Sequence, residues 1–351
     1  MSIALVMIAR NEARCIARAL GSARPWVDAM IVLDTGSTDA TPRLAAQAGA
    51  EVHRVVWNDD FAAARNAALE RADADWCLVL DADEWLAGGA PTLRTLTAPG
   101  ERFIGLVRVT SQLDGAGEAP SWLPRLLPRG VRYAGRVHEQ PVSALPRRRV
   151  ELVLGHDGYL GAQRAAKGDR NERLLRLALA EHPADAYLHY QLAKDLELRG
   201  HFDAAAPHYA QAAAGADVEA AWRHDLVLRQ LYTLKKLHAF DTALALAETE
   251  MAHWRHSPDF FFTVGDLLLD WAAHEPARAG ELLPMIESSW LEAVAIGEQP
   301  QLNDSVRGRG SFLAAHNLAV LHAGLGDADT AQAWSAKAQQ WRAATPPLAP
   351  R

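Results

Sequence analysis

The pattern of apolar residues changes once along this chain, near residue 165, and the change separates two parts of different fold class. Before it, short apolar runs alternate with helical patterns, which is typical of βαβ units on a largely parallel sheet. After it, strand patterns stop and alanine-rich amphipathic helices follow one another. We therefore predict an α/β domain over residues 1–165 and an all-α domain over residues 166–351. A chain of 351 residues is long enough for two such cores.

Strand and helix patterns alternate regularly in the first part. Predicted strands cover Ile3–Ala9, Met30–Leu33, Val52–Val56, Trp76–Leu80, Phe103–Val109 and Val150–Leu154, and predicted helices cover Asn11–Leu20, Thr41–Ala48 and Ala62–Arg71. Gly49 follows the second helix at a position where helices often end. The segment Ser111–Pro146 is rich in Pro, Gly and Arg and has no predicted strand.

The second part contains two stretches that resemble tetratricopeptide helix pairs. The first stretch has small and large residues at Leu192, Ala193, Leu196, Gly200, Phe202, Ala205, Tyr209 and Ala212, and the second at Asn317, Leu318, Ala319, His322, Gly326, Asp327, Ala331 and Ala338. Weaker copies lie at Asn171–Pro183 and around Phe240–Ala243. Stacked pairs share a core and usually form a concave binding surface. We expect an all-α tetratricopeptide-like domain. One expected role of its repeats is to bind a protein partner.

Charge, cysteine content and the length of apolar runs limit the ligands and the cellular location that we expect for the protein. The net charge of −7 argues against a broad nucleic-acid-binding surface, which would need a basic face. The only two cysteines, Cys15 and Cys77, imply no disulfide framework and favour a reducing compartment. No apolar run reaches the roughly 18 residues of a membrane helix, and the apolar start Met1–Ala9 is interpreted as a buried strand. We expect a cytoplasmic protein without an integral membrane segment; peripheral attachment at the inner face of the membrane stays open.

Four polar motifs follow one another in the first part. Ile8-Ala9-Arg10-Asn11-Glu12 ends the first strand, Asp34-Thr35-Gly36-Ser37-Thr38-Asp39 follows the second, Asp59-Asp60-Phe61-Ala62-Ala63-Ala64-Arg65-Asn66 opens the third helix, and Asp81-Ala82-Asp83 follows the fourth strand. Parallel strands present their carboxyl ends at one edge of a sheet, where such sheets bind ligands. The acids of these motifs are therefore predicted to converge.

In order and spacing, the four motifs resemble those of the family 2 glycosyltransferases, which are inverting enzymes of the GT-A fold. The resemblance covers residues 1–160 and implies a GT-A, Rossmann-like domain. It implies a hexosyltransferase whose donor is a nucleotide sugar, with a UDP-sugar favoured, and whose acceptor is a saccharide, a lipid-linked glycan or glycolipid, or a peptide. It also implies a divalent cation, Mn²⁺ or Mg²⁺, because such a cation neutralises the charge that develops on a leaving diphosphate.

The resemblance assigns donor contacts to residues of all four motifs. These are Ala9, Arg10, Asn11, Glu12, Asp34, Gly36, Asp60, Arg65, Asn66, Asp81 and Ala82. Asp83 is the expected metal ligand, and Gly36 permits a tight turn between strand and helix. Arg65 and Asn66 are expected at the exposed end of a helix, within reach of the donor's sugar or phosphates.

Each motif also has a structural interpretation. The Asp81 and Asp83 carboxylates could be solvated surface acids, and Asp60, Arg65 and Asn66 could form an ordinary solvated helix face. For Asp39, a helix cap is as good an interpretation as a ligand contact.

An inverting transfer needs a base that takes the proton of the acceptor hydroxyl. The E-D pair of long family members is absent at its usual distance past Asp83, whereas Gly135-Arg136-Val137-His138-Glu139 resembles the V-H-E segment of shorter members. The resemblance makes Glu139 the base and His138 its support. A salt bridge from Glu139 to Arg125 or Arg136 is the alternative.

The end of the first part supplies further candidates. His156, in His156-Asp157-Gly158-Tyr159, follows a strand, and GT-A enzymes often use a late histidine as a metal ligand; a satisfied core histidine is the alternative. Arg125, Arg129, Arg132 and Arg136 form a basic stretch suited to phosphates, or one that merely solvates a Pro-rich loop.

Three other functions compete with sugar transfer. A nucleotidyltransferase would open with a Gly-rich phosphate loop, which the first motif lacks. A phosphatase usually places its acids after the first strand. A catalytically weak scaffold that binds a peptide through the repeats is the main alternative, although the motif acids and Arg65 are all present. If the repeats select a macromolecular acceptor, cutting the chain after residue 165 should spare donor hydrolysis and impair transfer.

Overall fold

The computed structural model describes residues 1–112, 118–157, 161–302 and 305–344, so the predicted Gly158-Tyr159 segment lies outside the described residues. The chain divides into two compact units. The sheet unit spans Met1–Ala180, and the helical unit begins at Glu181. The predicted boundary lay at residue 165, whereas in the structure nearly all of the helix Gly161–Glu181 belongs to the sheet unit.

Eight of the described strands form one mixed sheet in the order β3-β2-β1-β4-β7-β6-β10-β5. Strands β3, β2, β1 and β4 are parallel, β7 runs antiparallel to β4 and β6, and β10 is parallel to β6 and antiparallel to β5. A second, two-stranded sheet pairs β8 with β9. The strands are β1 Ile3–Ala9, β2 Ala29–Asp34, β3 Glu51–Arg54, β4 Trp76–Val79, β5 Glu84–Gly88, β6 Ile104–Gln112, β7 Glu118–Pro128, β8 Arg132–Ala134, β9 Gln140–Val142 and β10 Arg147–His156.

Helices cover both faces of the central strands. The helices of the sheet unit are α1 Ile16–Ala23, α2 Thr41–Gln47, α3 Phe61–Ala72, α4 Leu93–Leu96 and α5 Gly161–Glu181. In β1, Leu5 and Met7 join the cluster that contains the buried residues of α1, while Ala4 and Val6 join the cluster that contains those of α3. A strand covered on both faces has to be apolar at successive positions, which explains the unbroken apolar run Ile3–Ala9.

Two of the differences between the sheet unit and the prediction have a local physical cause. Helix α1 begins at Ile16 and not at Asn11, because Asn11 has a φ of 56° and its amide group belongs to the loop after β1. Strand β7 was not predicted at all, since it contains several prolines. Pro124 lies next to the register shift in the β6–β7 ladder and Pro128 is its last residue, positions where a sheet tolerates a missing N–H.

The helical unit consists of antiparallel helix pairs, and the predicted tetratricopeptide-like fold is confirmed. Its helices are α6 Ala186–Leu198, α7 Phe202–Gly215, α8 Arg223–Lys236, α9 Phe240–Glu250, α10 Pro258–His274, α11 Ala279–Ile296, α12 Phe312–Gly324 and α13 Ala328–Ala344. The two predicted pairs are α6–α7 and α12–α13. Gly200 and Gly326, with φ of 80° and 81°, take the left-handed conformation that ends the first helix of each pair.

Two further predictions concern membrane-spanning helices and the cysteines. Within the described ranges, no helix combines the length and apolar character needed to cross a bilayer. Cys15 and Cys77 are free and buried. The cytoplasmic location stays a prediction.

Candidate active site at the sheet edge

The carboxyl ends of β1, β2 and β4 meet at one edge of the sheet, as predicted. Ala9 is paired with Asp34 in the β1–β2 ladder, and Val6 with Val79 in the β1–β4 ladder. The segments that follow β2 and β4 therefore leave the sheet on the same side. A pocket of about 450 Å³ opens at this edge, within the size range of small-molecule sites.

The pocket brings together most of the predicted site residues. It is lined by Ala9, Arg10, Glu12, Arg65, Asp81, Ala82, Asp83, His138, Glu139 and His156. Asn11, Asp34, Gly36, Asp60 and Asn66 are not among its lining residues. All four motifs therefore reach the pocket wall, the second of them through Thr35 alone.

The predicted residues of the first two loops that miss the pocket shape those loops instead. Asp34 is 1% exposed, and its carboxylate accepts a hydrogen bond from the Ser37 N–H at 3.2 Å. The Asn11 side-chain oxygen accepts one from the Thr38 N–H at 2.8 Å, which joins the loop after β1 to the loop after β2. Gly36 has a φ of 105°, which permits the turn there.

Asp39 has a structural role at the start of α2, although the N-cap residue of that helix is Ala40 and not Asp39 as one interpretation had it. Its carboxylate accepts hydrogen bonds from the Thr41 N–H at the start of α2, at 2.9 Å, and from the Ala13 N–H, at 3.2 Å. It therefore fixes the start of the helix against the loop after β1.

Asp60 and Asn66 fix helix α3 in place. Asp60 is the N-cap and accepts a hydrogen bond from the Ala63 N–H at 2.8 Å. The Asn66 side chain bonds both the carbonyl and the N–H of Tyr133 in β8, at 2.9 and 2.8 Å. Neither residue lies on a merely solvated face, and both position the elements around the pocket.

Arg65 is buried, so the expectation that it is exposed was wrong. It is 6% exposed, and its guanidinium lies between two carboxylates. Nη2 donates to Asp81 at 2.7 Å and Nε donates to Glu139. The predicted alternative of a salt bridge from Glu139 to Arg125 or Arg136 is thus replaced by an ion pair with Arg65, formed because β8 and the segment after it fold against α3.

Arg125 extends this charged network to the other side of Asp81. Its Nη2 donates to Asp81 and to Glu84, each at 2.6 Å. Burial opposes ionisation of Asp81, but Arg125 and Arg65 outweigh it and hold the pKa of Asp81 well below its usual range. Burial raises the pKa of Glu84 and raises the pKa of Tyr133 to about 12. The charged side chains on this side of the pocket are therefore paired with one another and held in fixed positions.

The other arginines of the predicted basic stretch are used elsewhere. Arg129 donates to Asp73 at 2.5 Å, Arg132 pairs with Glu70 at 3.2 Å, and Arg136 donates to the Asp59 carbonyl at 3.2 Å. Only Arg125 of the four lines the pocket. The four arginines are close in sequence, but the structure gives only Arg125 a place at the pocket.

Asp83 and His156 face each other across the ends of β4 and β10. The Asp83 side chain is 8% exposed, and its Oδ2 lies 3.5 Å from Nε2 of His156. Arg14 and Arg18 both pair with Asp157, the residue after His156, at 3.0 and 2.7 Å, and so hold the end of β10 in place.

A carboxylate and an imidazole at this separation fit a divalent cation that is held partly by its substrate. Across the described part of the chain, no cluster of three or more His, Cys, Asp or Glu side chains could hold a metal ion. Mg²⁺ in phosphate sites is commonly bound by one or two carboxylates, with substrate oxygens and waters completing the shell. Asp83 and His156 therefore suit a cation bound together with a diphosphate, and not a permanently enclosed metal centre.

Several residues of the pocket were not predicted. Arg170 and Asn171 of α5 line it, together with Trp57 and Tyr133. The rule that ligands bind at strand ends does not reach a helix that follows the last strand of the sheet. The weak repeat predicted at Asn171–Pro183 lies largely in α5 of the sheet unit.

Comparisons with known proteins agree with the motifs. The family model described as Glycosyl transferase family 2 matches residues 4–136. A TPR repeat-containing protein of Synechococcus elongatus is 36% identical over 69% of this chain and 64% of its own length. The SPbeta prophage-derived glycosyltransferase SunS of Bacillus subtilis is 29% identical over 49% of this chain and 44% of its own. The chain thus spans about half to two thirds of these relatives.

Among solved structures, the likeness to this chain is more limited. The glucosyl-3-phosphoglycerate synthase of Mycobacterium tuberculosis, in complex with Mn²⁺ and uridine-diphosphate-glucose, is 28% identical, covers 32% of this chain and 44% of its own, and has a TM-score of 0.27.

Proposed function

The chain carries a family 2 glycosyltransferase domain followed by tetratricopeptide-like repeats, and from that premise we propose that it is an inverting, metal-assisted glycosyltransferase. The donor is a nucleotide sugar, with a UDP-sugar favoured by the resemblance of the motifs. The observation that carries the proposal is the arrangement of the pocket, which has the Asp83–His156 pair and the Glu139 carboxylate on its wall.

The donor's diphosphate lies beside Asp83. Asp83 and His156 would hold Mn²⁺ or Mg²⁺, and the bound cation would neutralise the charge that develops on the leaving diphosphate. Asp81 has a supporting role, because both of its oxygens are occupied by arginines. It keeps two guanidinium groups fixed at the pocket, where they stabilise negative charge without having to reorganise.

Glu139 is the base. Its carboxylate takes the proton of the acceptor hydroxyl while that oxygen attacks the anomeric carbon from the side opposite the diphosphate. The bond between the anomeric carbon and the diphosphate oxygen breaks, and the nucleoside diphosphate leaves with the bonding electrons. His138 supports this geometry through the backbone, since its φ of 52° turns the chain just before Glu139.

The acceptor is a saccharide, a lipid-linked glycan or a peptide, and the helical unit selects it. Repeat folds present extended surfaces to macromolecules, which favours an acceptor larger than a single sugar. A catalytically weak scaffold that uses only the repeats is the second candidate, and one of the relatives is described by its repeats.

Binding of the donor and its dependence on metal test the proposal. A thermal-shift screen of UDP-, GDP-, ADP-, CDP- and dTDP-sugars, each with and without Mn²⁺, should find one that raises the melting temperature only when the metal is present. Donor hydrolysis and transfer are then compared between the wild type and Asp83→Asn. We expect the variant to lose at least about 100-fold in rate, as is typical when stabilisation of a leaving group is lost.

Asp28→Asn is the matched control, since Asp28 precedes β2 at the opposite edge of the sheet and pairs with the half-exposed Arg94. It should keep the wild-type rate. If Asp83→Asn were as active as the wild type, Asp83 would not serve the reaction. If no nucleotide sugar bound, the scaffold would be the better description.

A further inference from the structure

Four arginines line the pocket, and they fall into two pairs with different surroundings. Arg65 and Arg125 each contact two carboxylates. Arg10, at the end of β1, and Arg170, in α5, also line the pocket. Among the described residues, no carboxylate lies within ion-pair distance of Arg10 or Arg170. Two positive charges at the pocket therefore lack a bound counter-charge.

These two charges are also close enough to disfavour each other. Burial by the surrounding protein and then the positive charge of Arg10 lower the pKa of Arg170, while Glu12 and Glu139 compensate only in part. Arranging like charges at one site costs free energy unless an anion binds between them. The pair is therefore suited to a ligand with more than one negative charge.

Arg170 is held in place before any ligand arrives. One turn further along α5, Arg173 makes two hydrogen bonds to the Asp59 carboxylate, at 2.6 and 2.8 Å. The Arg170 guanidinium also stacks over the Phe61 ring, with 5.0 Å between its carbon and the ring centroid. Asp59 and Phe61 flank the start of α3, so α5 is anchored beside the helix that carries Arg65.

We propose that Arg170, together with Arg10, binds the diphosphate of the nucleotide-sugar donor, so that helix α5 completes a donor site begun by the strand ends. The inference rests on the proposed function. Arg170 lies outside residues 4–136, which match the family model, and beyond the domain boundary predicted from sequence. Cutting the chain after residue 165 would therefore remove part of the donor site, contrary to the expectation that donor hydrolysis survives such a cut.

The test measures binding of nucleoside diphosphates to the full chain. Calorimetric titration of UDP, GDP, ADP, CDP and dTDP into the wild type identifies the base that binds most tightly. The same diphosphate and its parent nucleoside are then titrated into Arg170→Gln. We expect binding of the diphosphate to weaken by about tenfold or more, which is typical for loss of a charge-assisted hydrogen bond. Binding of the nucleoside, which has no phosphate, should change by less than about twofold.

Arg176→Gln is the matched control. Arg176 lies on the same helix, does not line the pocket, and is half-exposed beside Glu172. The substitution removes the same charge and should leave diphosphate affinity unchanged. Thermal melts of both variants show whether the fold is retained, and Arg170→Lys, which keeps the charge, should recover part of the affinity.

The outcomes separate this inference from the proposed function. If the wild type binds a diphosphate and Arg170→Gln binds it equally well, the inference is overturned and the donor site stands without α5. It is also overturned if Arg170→Gln impairs only transfer to the acceptor, because Arg170 would then serve an acceptor anion. If the wild type binds no nucleoside diphosphate, the proposed function fails and this inference fails with it.

Discussion

Both units bury a network of charged side chains, and the network of the sheet unit borders the pocket described above. In the helical unit, Arg229 pairs with Asp225 at 2.7 Å and with Glu197 at 2.9 Å. The hydroxyls of Tyr190 and Tyr209 donate to the same two carboxylates, each at 2.5 Å. These contacts join α6, α7 and α8 and leave the Arg229 charge matched by two carboxylates. We call these five residues the closed network.

In the sheet unit, the corresponding arginines keep unused donors. Nη1 of Arg65 and Nε of Arg125 are buried, and neither has a hydrogen-bond partner among the described residues. An unpaired buried donor costs free energy, and a ligand that accepts a hydrogen bond from it would recover that cost. The two networks show that a buried ion pair does not by itself indicate function. It becomes informative when its arginine still has unpaired N–H donors and the network borders a pocket.

Replacing the proposed base should have the largest effect and would sharpen this contrast most. Glu139→Gln keeps the shape and a contact to Arg65 but cannot accept the proton, so transfer should slow by about 10²–10⁴-fold. Steady-state rates with a fixed donor and acceptor measure this, and donor affinity is measured alongside. Glu197→Gln, in the closed network, is the control and should leave the transfer rate unchanged at temperatures where it is folded. A Glu139→Gln enzyme with near-normal rates would mean that Glu139 only anchors Arg65.

Removing the central arginine of the closed network should affect stability alone. Arg229→Ala leaves the buried Glu197 carboxylate without its cation and Asp225 with Lys194 alone, and breaking a buried pair in this way typically costs about 3–5 kcal/mol of unfolding free energy. Urea denaturation followed by circular dichroism measures the change. Arg176→Ala, which breaks the more exposed i,i+4 pair with Glu172, should cost about 1 kcal/mol or less. Equal effects of the two substitutions would break the comparison, because the Arg229 network would then be dispensable.

A smaller effect is expected in the pH dependence of stability. Burial opposes ionisation of Asp225, but Lys194 and Arg229 outweigh it and lower its pKa. A carboxyl whose pKa is lowered by folding stabilises the fold above its unfolded pKa, about 4, and that contribution is lost as the pH falls further. Asp225→Asn should therefore be less stable than the wild type at pH 7, with the difference shrinking below about pH 4. Unfolding curves at neutral pH and at two acidic pH values on either side of that point test this, with the exposed Asp241→Asn as control. A difference that grows in acid would contradict it.

The smallest effect is expected at the two thiols of the sheet unit, which should not react while the protein is folded. Burial raises the pKa of Cys15 and the pKa of Cys77 to about 12, so almost no thiolate is present near neutral pH. A thiol-reactive disulfide dye at mildly alkaline pH should label neither cysteine in the folded protein and both in urea. Rapid labelling of the folded protein would show that the sheet unit opens well beyond its pocket.

Much of the fold was predictable because its signals are local. The apolar run Ile3–Ala9 predicted β1 with the bounds that the structure has, and Gly200 and Gly326 marked the turns of two helix pairs. Strand β7 was missed because prolines oppose strand formation unless the register places them at an edge or an irregularity, which only pairing with β6 reveals. Arg170 was missed for a similar reason, since its position depends on where α5 packs.

The sequence by itself determined which polar residues follow each central strand, and therefore which of them gather at one edge of the sheet. That information is local, since parallel strands joined by helices have to present their carboxyl ends together. Only the tertiary structure decided which charges neutralise each other and which remain for a ligand. Arg125 reaches Asp81 across 44 residues and Arg65 reaches Glu139 across 74 residues. Such pairings depend on how β7 packs beside β4 and how the segment after β8 packs against α3, which no single segment encodes.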